Sequence, residues 1–89
     1  MFYAFTRHSV DDYDRWRAVY DDFADERRAL GVVGDAVFRN VDNGNEVTLH
    51  LNFETLDAAR KFVQNSEMRG AMDQAGLSGN PKIWLAEDA

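Results

Sequence analysis

The sequence predicts an α+β fold in which two helices cover one face of a four-stranded antiparallel sheet. Three observations carry this prediction. The first residues are rich in aromatic side chains, which is typical of a strand. The segment from Tyr13 to Leu30 repeats apolar residues at helical spacing, and an Asn-Gly pair separates two strand-like segments. With a second helix and a last strand after residue 54, the element order is βαββαβ.

The first strand is predicted at Phe2–His8, where aromatic residues predominate and a polar cluster follows. Ser9 and Asp12 have the spacing of a capping box, in which each side chain accepts a backbone N–H at a helix start. Gly31 is predicted to end the helix as a left-handed cap. Between these ends, one face of the helix is formed at steps of three and four residues by Tyr13, Trp16, Tyr20, Phe23, Arg27 and Leu30.

The middle of the chain is predicted to be a β-hairpin. Its strands are Asp35–Val41 and Glu46–Phe53, joined by Asp42-Asn43-Gly44-Asn45, because Asn-Gly between apolar segments is a strong hairpin signal. An unbroken apolar row needs an apolar partner, so we expect the apolar row of the second strand to face the helices. That strand alternates strictly, with Val47, Leu49, Leu51 and Phe53 on one face and Thr48, His50 and Asn52 on the other.

The C-terminal part supplies the second helix and the last strand. Thr55 is predicted to cap the helix, and a short further helical segment is predicted to start at Ser66 and stop at Gly76. The Gly- and Pro-containing segment Ser78–Pro81 is predicted to be a loop, and Lys82–Glu87 the final strand.

This element order is that of the ferredoxin-like, or split βαβ, arrangement, since right-handed crossovers leave few other topologies. The helices then cover only one face of the sheet. Whichever face of the first strand points outward, it carries aromatic rings, either Tyr3 and Phe5 or Phe2, and Trp84 of the last strand is a further candidate for that open face. Because an exposed apolar patch usually marks an interface, the sequence predicts a homodimer with two sheets face to face.

Composition excludes several classes of function. The 89 residues contain no cysteine, which excludes disulfides, thiolate metal sites and cysteine nucleophiles. Ten Lys and Arg against sixteen Asp and Glu give a net charge of −6, which disfavours nucleic acids and anionic membranes as partners. No apolar segment approaches the ~18–20 residues that span a bilayer, and the N-terminus lacks the apolar stretch of a secretory signal. We therefore expect one cytoplasmic domain over residues 1–89.

The chain resembles the dimeric α/β-barrel superfamily. The resemblance is carried by Arg7-His8-Ser9-Val10, by Asp12-Tyr13 with Trp16, by the helix end Ala29-Leu30-Gly31 and by Pro81–Leu85. Within the superfamily, the chain is similar to small stand-alone proteins related to the antibiotic biosynthesis monooxygenases. Members include cofactor-free quinone-forming monooxygenases, haem-degrading enzymes, lactone isomerases and proteins with no known activity. The resemblance therefore implies the fold and the homodimer more strongly than a reaction.

Two residues of the polar row are candidates for catalysis. His50 lies in the middle of its strand, and its imidazole is expected to enter the space between the two sheets, where it suits proton transfer near neutral pH. Asn52 offers the donor and acceptor that a carbonyl or enolate oxygen needs. The structural alternative for His50 is a hydrogen bond across the dimer interface.

Four further residues are candidates for contact with a small aromatic ligand: Tyr13, Trp16, His8 and Trp84. Tyr13 and Trp16 suit either the core or a pocket wall with a polar tip, and His8 is expected at the surface or at a pocket mouth. Arg27 is expected to carry its guanidinium to water at the helix end or, alternatively, to bind a carboxylate. The two histidines lack metal-ligand spacing and no cofactor motif is present, so neither a metal nor a cofactor is predicted.

Three functions remain open at this point. The first is a cofactor-free monooxygenase or isomerase that binds a flat aromatic or polyketide-like compound between the sheet and the helices, with His50 and Asn52 directing proton movement. The second is a ligand-binding protein that has the same pocket without catalysis. The third is a structural homodimer whose side chains fill the space between the sheets.

Overall fold

The computed structural model describes residues 1–65, 70 and 76–89. In chain order its elements are β1 (Phe2–Val10), α1 (Tyr13–Asp22), α2 (Ala24–Ala29), β2 (Val32–Arg39), β3 (Glu46–Phe53), α3 (Leu56–Val63) and β4 (Leu77–Glu87). The strands form one antiparallel sheet in the order β2-β3-β1-β4, which confirms the predicted ferredoxin-like arrangement. The helical segment predicted to start at Ser66 lies outside the described residues. No helix in the described part of the chain is long and apolar enough to cross a membrane.

The first strand is longer than predicted and continues through Val10. Ser9 lies inside β1, paired with Ser78, so the capping box predicted at Ser9 is wrong. The N-cap of α1 is Asp12, whose backbone is extended with φ of −151°. Its carboxylate accepts the Asp14 backbone N–H at 3.0 Å and so satisfies one of the free donors at the helix start.

The helix predicted from Tyr13 to Leu30 is divided into two at Phe23. The backbone of Phe23 has φ of −93° and ψ of 12°, and its N–H donates to the Tyr20 carbonyl at 3.3 Å. This i to i−3 hydrogen bond tightens the last turn of α1 and ends it. The second piece, α2, turns the chain back to the sheet, where β2 begins at Val32.

Gly31 links α2 to β2 with φ of +101°, as the sequence predicted. A Cβ there would lie 3.3 Å from the Ala58 Cβ of α3. Gly31→Ala is therefore expected to lower the free energy of unfolding by about 1–2 kcal/mol, because an L-residue is strained in this region. Urea denaturation measures the change. At Gly70 an added Cβ meets nothing within 4 Å, so Gly70→Ala is the control, and an equal loss there would contradict the prediction.

The helix-covered face of the sheet carries the core. In β3, the apolar row faces the helices as predicted, and every member of it is at most 5% exposed. The helices contribute Trp16, Ala59 and Phe62 to the same core. Thr55 caps α3 as predicted, because its hydroxyl accepts the Ala58 backbone N–H at 3.1 Å. The buried residues of β1 are Ala4, Thr6, His8 and Val10.

The two edge strands differ from their predicted bounds. The predicted strand Asp35–Val41 is Val32–Arg39 in the structure. The loop predicted at Ser78–Pro81 is wrong, because β4 includes these residues and its pairing with the extended end of β1 begins at Leu77. As an edge strand, β4 tolerates a proline that a central strand would not.

Candidate functional site

The sheet divides the predicted site residues into two groups. Successive side chains of a strand point to opposite faces. Trp16 of α1 belongs to the core, Tyr13 of α1 is half-buried against it, and His8 is buried on the same helix-covered face. His50, Asn52 and Trp84 lie on the open face, where the strand register aligns Phe5 with both His50 and Trp84. These residues therefore do not form one site.

His8 is a buried polar side chain whose hydrogen-bonding groups lack partners in the described part of the chain. It is 4% exposed, so its predicted surface position is wrong. Neither of its ring nitrogens has a hydrogen-bond partner in the described part of the chain. Burial lowers the pKa of His8 to about 4, which keeps the imidazole neutral near pH 7. A neutral imidazole has one donor and one acceptor nitrogen, so His8 offers both to a polar partner that enters its surroundings.

The His8 ring of β1 packs against a group of aromatic rings on α1. Its centroid is 5.3 Å from that of Trp16, and the Trp16 ring stacks on Tyr20 at 5.0 Å with an interplanar angle of 25°. The Tyr13 ring centroid is 5.9 Å from that of Trp16, and the Arg39 guanidinium lies 3.9 Å from the Tyr13 ring centroid. Planar faces beside an unpaired donor and acceptor suit a planar ligand that carries oxygen atoms.

On the open face, five rings form a cluster that we call the open-face patch: Tyr3, Phe5, Phe38, His50 and Trp84. Phe5 and Trp84 are stacked almost parallel, with centroids 5.5 Å apart. His50 lies at the centre, with its ring centroid within 6.2 Å of those of Tyr3, Phe5 and Phe38. Trp84 is 46% exposed and Phe38 is 55% exposed, so the patch presents aromatic surface to solvent.

The two predicted catalytic residues are in contact with each other. His50 Nδ1 lies 2.7 Å from Asn52 Oδ1. Since an amide oxygen only accepts, Nδ1 donates the proton of this hydrogen bond. Asn52 lies against Gly34, where a Cβ would come within 3.1 Å of Asn52 Nδ2. The glycine therefore provides the space that the amide occupies.

The sequence predicts that Arg27 carries its guanidinium to water, and the structure shows that this prediction is wrong. The residue is 7% exposed, and its guanidinium carbon lies 3.6 Å from the Tyr20 ring centroid. Its Nη1 donates to the Tyr20 carbonyl oxygen. Tyr20, to which the sequence assigned no functional role, thus connects Arg27 to the His8 group. Within residues 1–65, 70 and 76–89, no set of three or more metal-ligating side chains is placed to hold an ion.

Comparison with known proteins identifies the fold. No family model and no curated protein matches the sequence. Among solved structures, one described as a candidate antibiotic biosynthesis monooxygenase from Bordetella bronchiseptica has a TM-score of 0.79 at 17% identity, covering 99% of this chain and 96% of that one. The structure of SnoaB, a cofactor-independent oxygenase from Streptomyces nogalater, has a TM-score of 0.76 at 16% identity. This match covers 98% of this chain and 91% of that one.

A third similar structure is the ActVA-Orf6 monooxygenase of Streptomyces coelicolor, solved in complex with the ligand nanaomycin D. Its TM-score is 0.72 at 19% identity, covering 99% of this chain and 87% of that one. At these identities the likeness establishes the fold. The chain has the ferredoxin-like fold of the antibiotic biosynthesis monooxygenase structures, as the sequence resemblance predicted.

Proposed function

We propose that this protein binds a small planar aromatic compound on the helix-covered face of its sheet and acts on it as a cofactor-independent oxygenase. We further propose that it works as a homodimer joined through the open-face patch. One observation carries the location of the site: His8 is a buried, neutral imidazole with two unpaired nitrogens beside the ring of Trp16. Buried polar groups are normally hydrogen-bonded, so an unpaired one points to a missing partner.

A hydroxylated aromatic compound has the chemistry that this group would recognise. Its hydroxyl can donate to the unprotonated nitrogen of His8, while the ring stacks near Trp16 and Tyr13. Because burial favours the neutral form of His8, we assign this residue the binding and orientation of the substrate oxygen. The description of SnoaB as a cofactor-independent oxygenase supports the reaction type.

The proposed reaction uses dioxygen as the oxidant and a hydroxyarene as the reductant. One oxygen atom of O₂ becomes a second ring carbonyl in place of a C–H bond. The other leaves as water with that hydrogen and the hydroxyl hydrogen, so the products are a quinone and one water molecule. An isomerase with the same ligand contacts would consume no O₂, so oxygen uptake separates these two reactions.

The open-face patch supports the homodimer. Folded monomers rarely leave a contiguous aromatic patch in water, and a two-fold axis allows the same patch on two copies to cover itself. A second candidate for catalysis is the His50–Asn52 pair, favoured by its 2.7 Å contact. In the proposed homodimer this pair lies between the sheets, where the rings of both copies compete with a ligand for space. We therefore place the ligand at His8.

Binding of a naphthol distinguishes the two locations. His8→Phe removes both nitrogens at a core position, whereas His50→Phe makes the same change on the open face. We expect 1-naphthol to raise the melting temperature of the wild type by mass action. We also expect His8→Phe to weaken the naphthol affinity about tenfold, the cost of roughly one lost hydrogen bond, while His50→Phe changes it less than about threefold.

Oxygen uptake with the same panel of naphthols and dihydroxynaphthalenes then tests the reaction. We expect the wild type and His50→Phe to consume O₂ and form a quinone absorbance, and His8→Phe to do so at a reduced rate. Loss in His50→Phe alone would move the site to the open face. A wild type that neither binds nor oxidises any compound of the panel would overturn the proposed function.

A further inference from the structure

A groove of about 500 Å³ lies between α2 and the edge strand β2. It is lined by none of the sequence-predicted site residues, although Arg27 on its wall contacts the His8 group through Tyr20. Arg27 and Arg28 line it from the helix, and Val32, Val33 and Asp35 line it from the strand. The strand register shifts between Val32 and Gly34, and this irregularity accompanies a Val33 that is 53% exposed. The groove thus combines a short aliphatic wall with cationic side chains, and its volume is that of a small-molecule site.

Arg27 is a buried cation without a counterion in the part of the chain that the structure describes. It is 7% exposed, and no described carboxylate lies within ion-pair distance of its guanidinium. The Tyr20 ring beneath it carries no charge, because burial, followed by the hydrogen bond to Asp35, raises the pKa of Tyr20 above its usual range. A buried charge is costly unless it is paired.

The other charged groups of the groove are already engaged. The Asp35 carboxylate accepts the Tyr20 hydroxyl through Oδ2, and Arg28 forms an exposed ion pair with Asp25. Arg27 has one hydrogen bond to the described residues, from Nη1 to the Tyr20 carbonyl. A guanidinium has five N–H donors in a planar fork, so it retains the capacity for a two-pronged contact with a carboxylate.

From this arrangement we infer that the groove is a binding site for a small organic carboxylate. The carboxylate pairs with the Arg27 guanidinium, and a short aliphatic chain lies along Val32 and Val33. A bidentate pair with a mostly buried guanidinium is among the stronger charge-assisted contacts. The groove takes a different class of ligand from the aromatic site proposed at His8, and the inference does not rest on that proposal.

Titration with pentanoate followed by amide chemical shifts tests the inference. At a salt concentration of about 0.15 M, which screens the net charge of −6, we expect pentanoate to shift the amides of Val32, Val33 and Gly34. Val33 is an exposed residue on the groove wall. Val33→Asp is expected to weaken the affinity for pentanoate at least about tenfold, because it places a like charge beside the ligand. Arg27→Lys keeps the positive charge but loses the planar fork of N–H donors, and it is expected to weaken the affinity for pentanoate similarly.

Arg28→Gln is the matched control and is expected to change the pentanoate affinity less than about threefold, since Arg28 is exposed and already paired. His8→Phe is expected to leave pentanoate binding unchanged, which separates this result from the outcome at the aromatic site. Equal affinity for neutral pentanamide, binding of inorganic phosphate without pentanoate, or the absence of shifts at the groove amides would each overturn the inference.

Discussion

Between pH 7 and pH 4 the protein is expected to lose about 3 kcal/mol of unfolding free energy at His8 alone. The pKa of His8 is lowered by burial from 6.5 to about 4, and each unit corresponds to about 1.4 kcal/mol. As the pH falls through 6.5, the unfolded chain binds a proton that the folded chain does not. The contribution of neutral His8 is therefore complete above pH 6.5 and is lost progressively until about pH 4.

Urea denaturation at a fixed protein concentration measures this loss, with His8→Phe as the reference. The other titratable groups are the same in both proteins. The informative quantity is therefore the difference between the two free energies of unfolding. We expect this difference to change by about 3 kcal/mol across the interval, in favour of the variant at low pH. If the free energies of unfolding of the two proteins changed in parallel with pH, the pKa of His8 would be the same in the folded and unfolded states.

Local signals in the sequence predicted the elements that depend on local chemistry. The strict alternation of β3 correctly identified its buried row, because burial of one face requires apolar residues at every second position. Gly31 and Thr55 were identified correctly for a similar reason. A left-handed turn and an N-cap each need a particular residue type at one position.

Long-range strand pairing explains why the end of β1 and the start of β4 were predicted incorrectly. The polar residues after His8 have the composition of a helix start, yet β1 continues to Val10 because Leu77 and Ser78 of β4 pair with its end. The same pairing places Pro81 inside a strand although glycine and proline favour a loop there. A single sequence does not reveal which distant segment supplies the ladder hydrogen bonds, so both ends of this pair were misassigned.

The candidate site was predicted in composition but not in arrangement. The sequence selected His8 and Trp16 together with His50 and Asn52, and the structure separates these pairs by the thickness of the sheet. A strand that ends at His8 predicts a surface position for this residue, whereas the longer β1 of the structure buries it. The alternation of β1 offered a usable signal: Ala4, the smallest side chain of the strand, shares its face with His8, as expected for the side that packs under helices.

At micromolar concentration the wild type is expected to sediment as a particle of twice the 10.2 kDa chain mass, and Trp84→Glu as a single chain. Trp84 is 46% exposed in the isolated chain and stacks on Phe5 at 5.5 Å, so it would be buried when two open-face patches meet. The variant removes a large aromatic contact and places two carboxylates between the sheets. We expect the dimer dissociation constant to rise at least about a hundredfold, a loss of roughly 3 kcal/mol.

Val41→Glu adds the same charge at the tip of the β2–β3 hairpin, where the side chain is 97% exposed. We expect this control to sediment with the wild type, and both variants to keep the far-ultraviolet circular dichroism of the folded chain. A wild type that sediments at the single-chain mass would contradict the homodimer, since the rings of the open-face patch would then face water in the working protein. A dimer that survives Trp84→Glu but is lost on changes elsewhere would place the interface on another surface, and His50 and Asn52 would regain an open approach for a ligand.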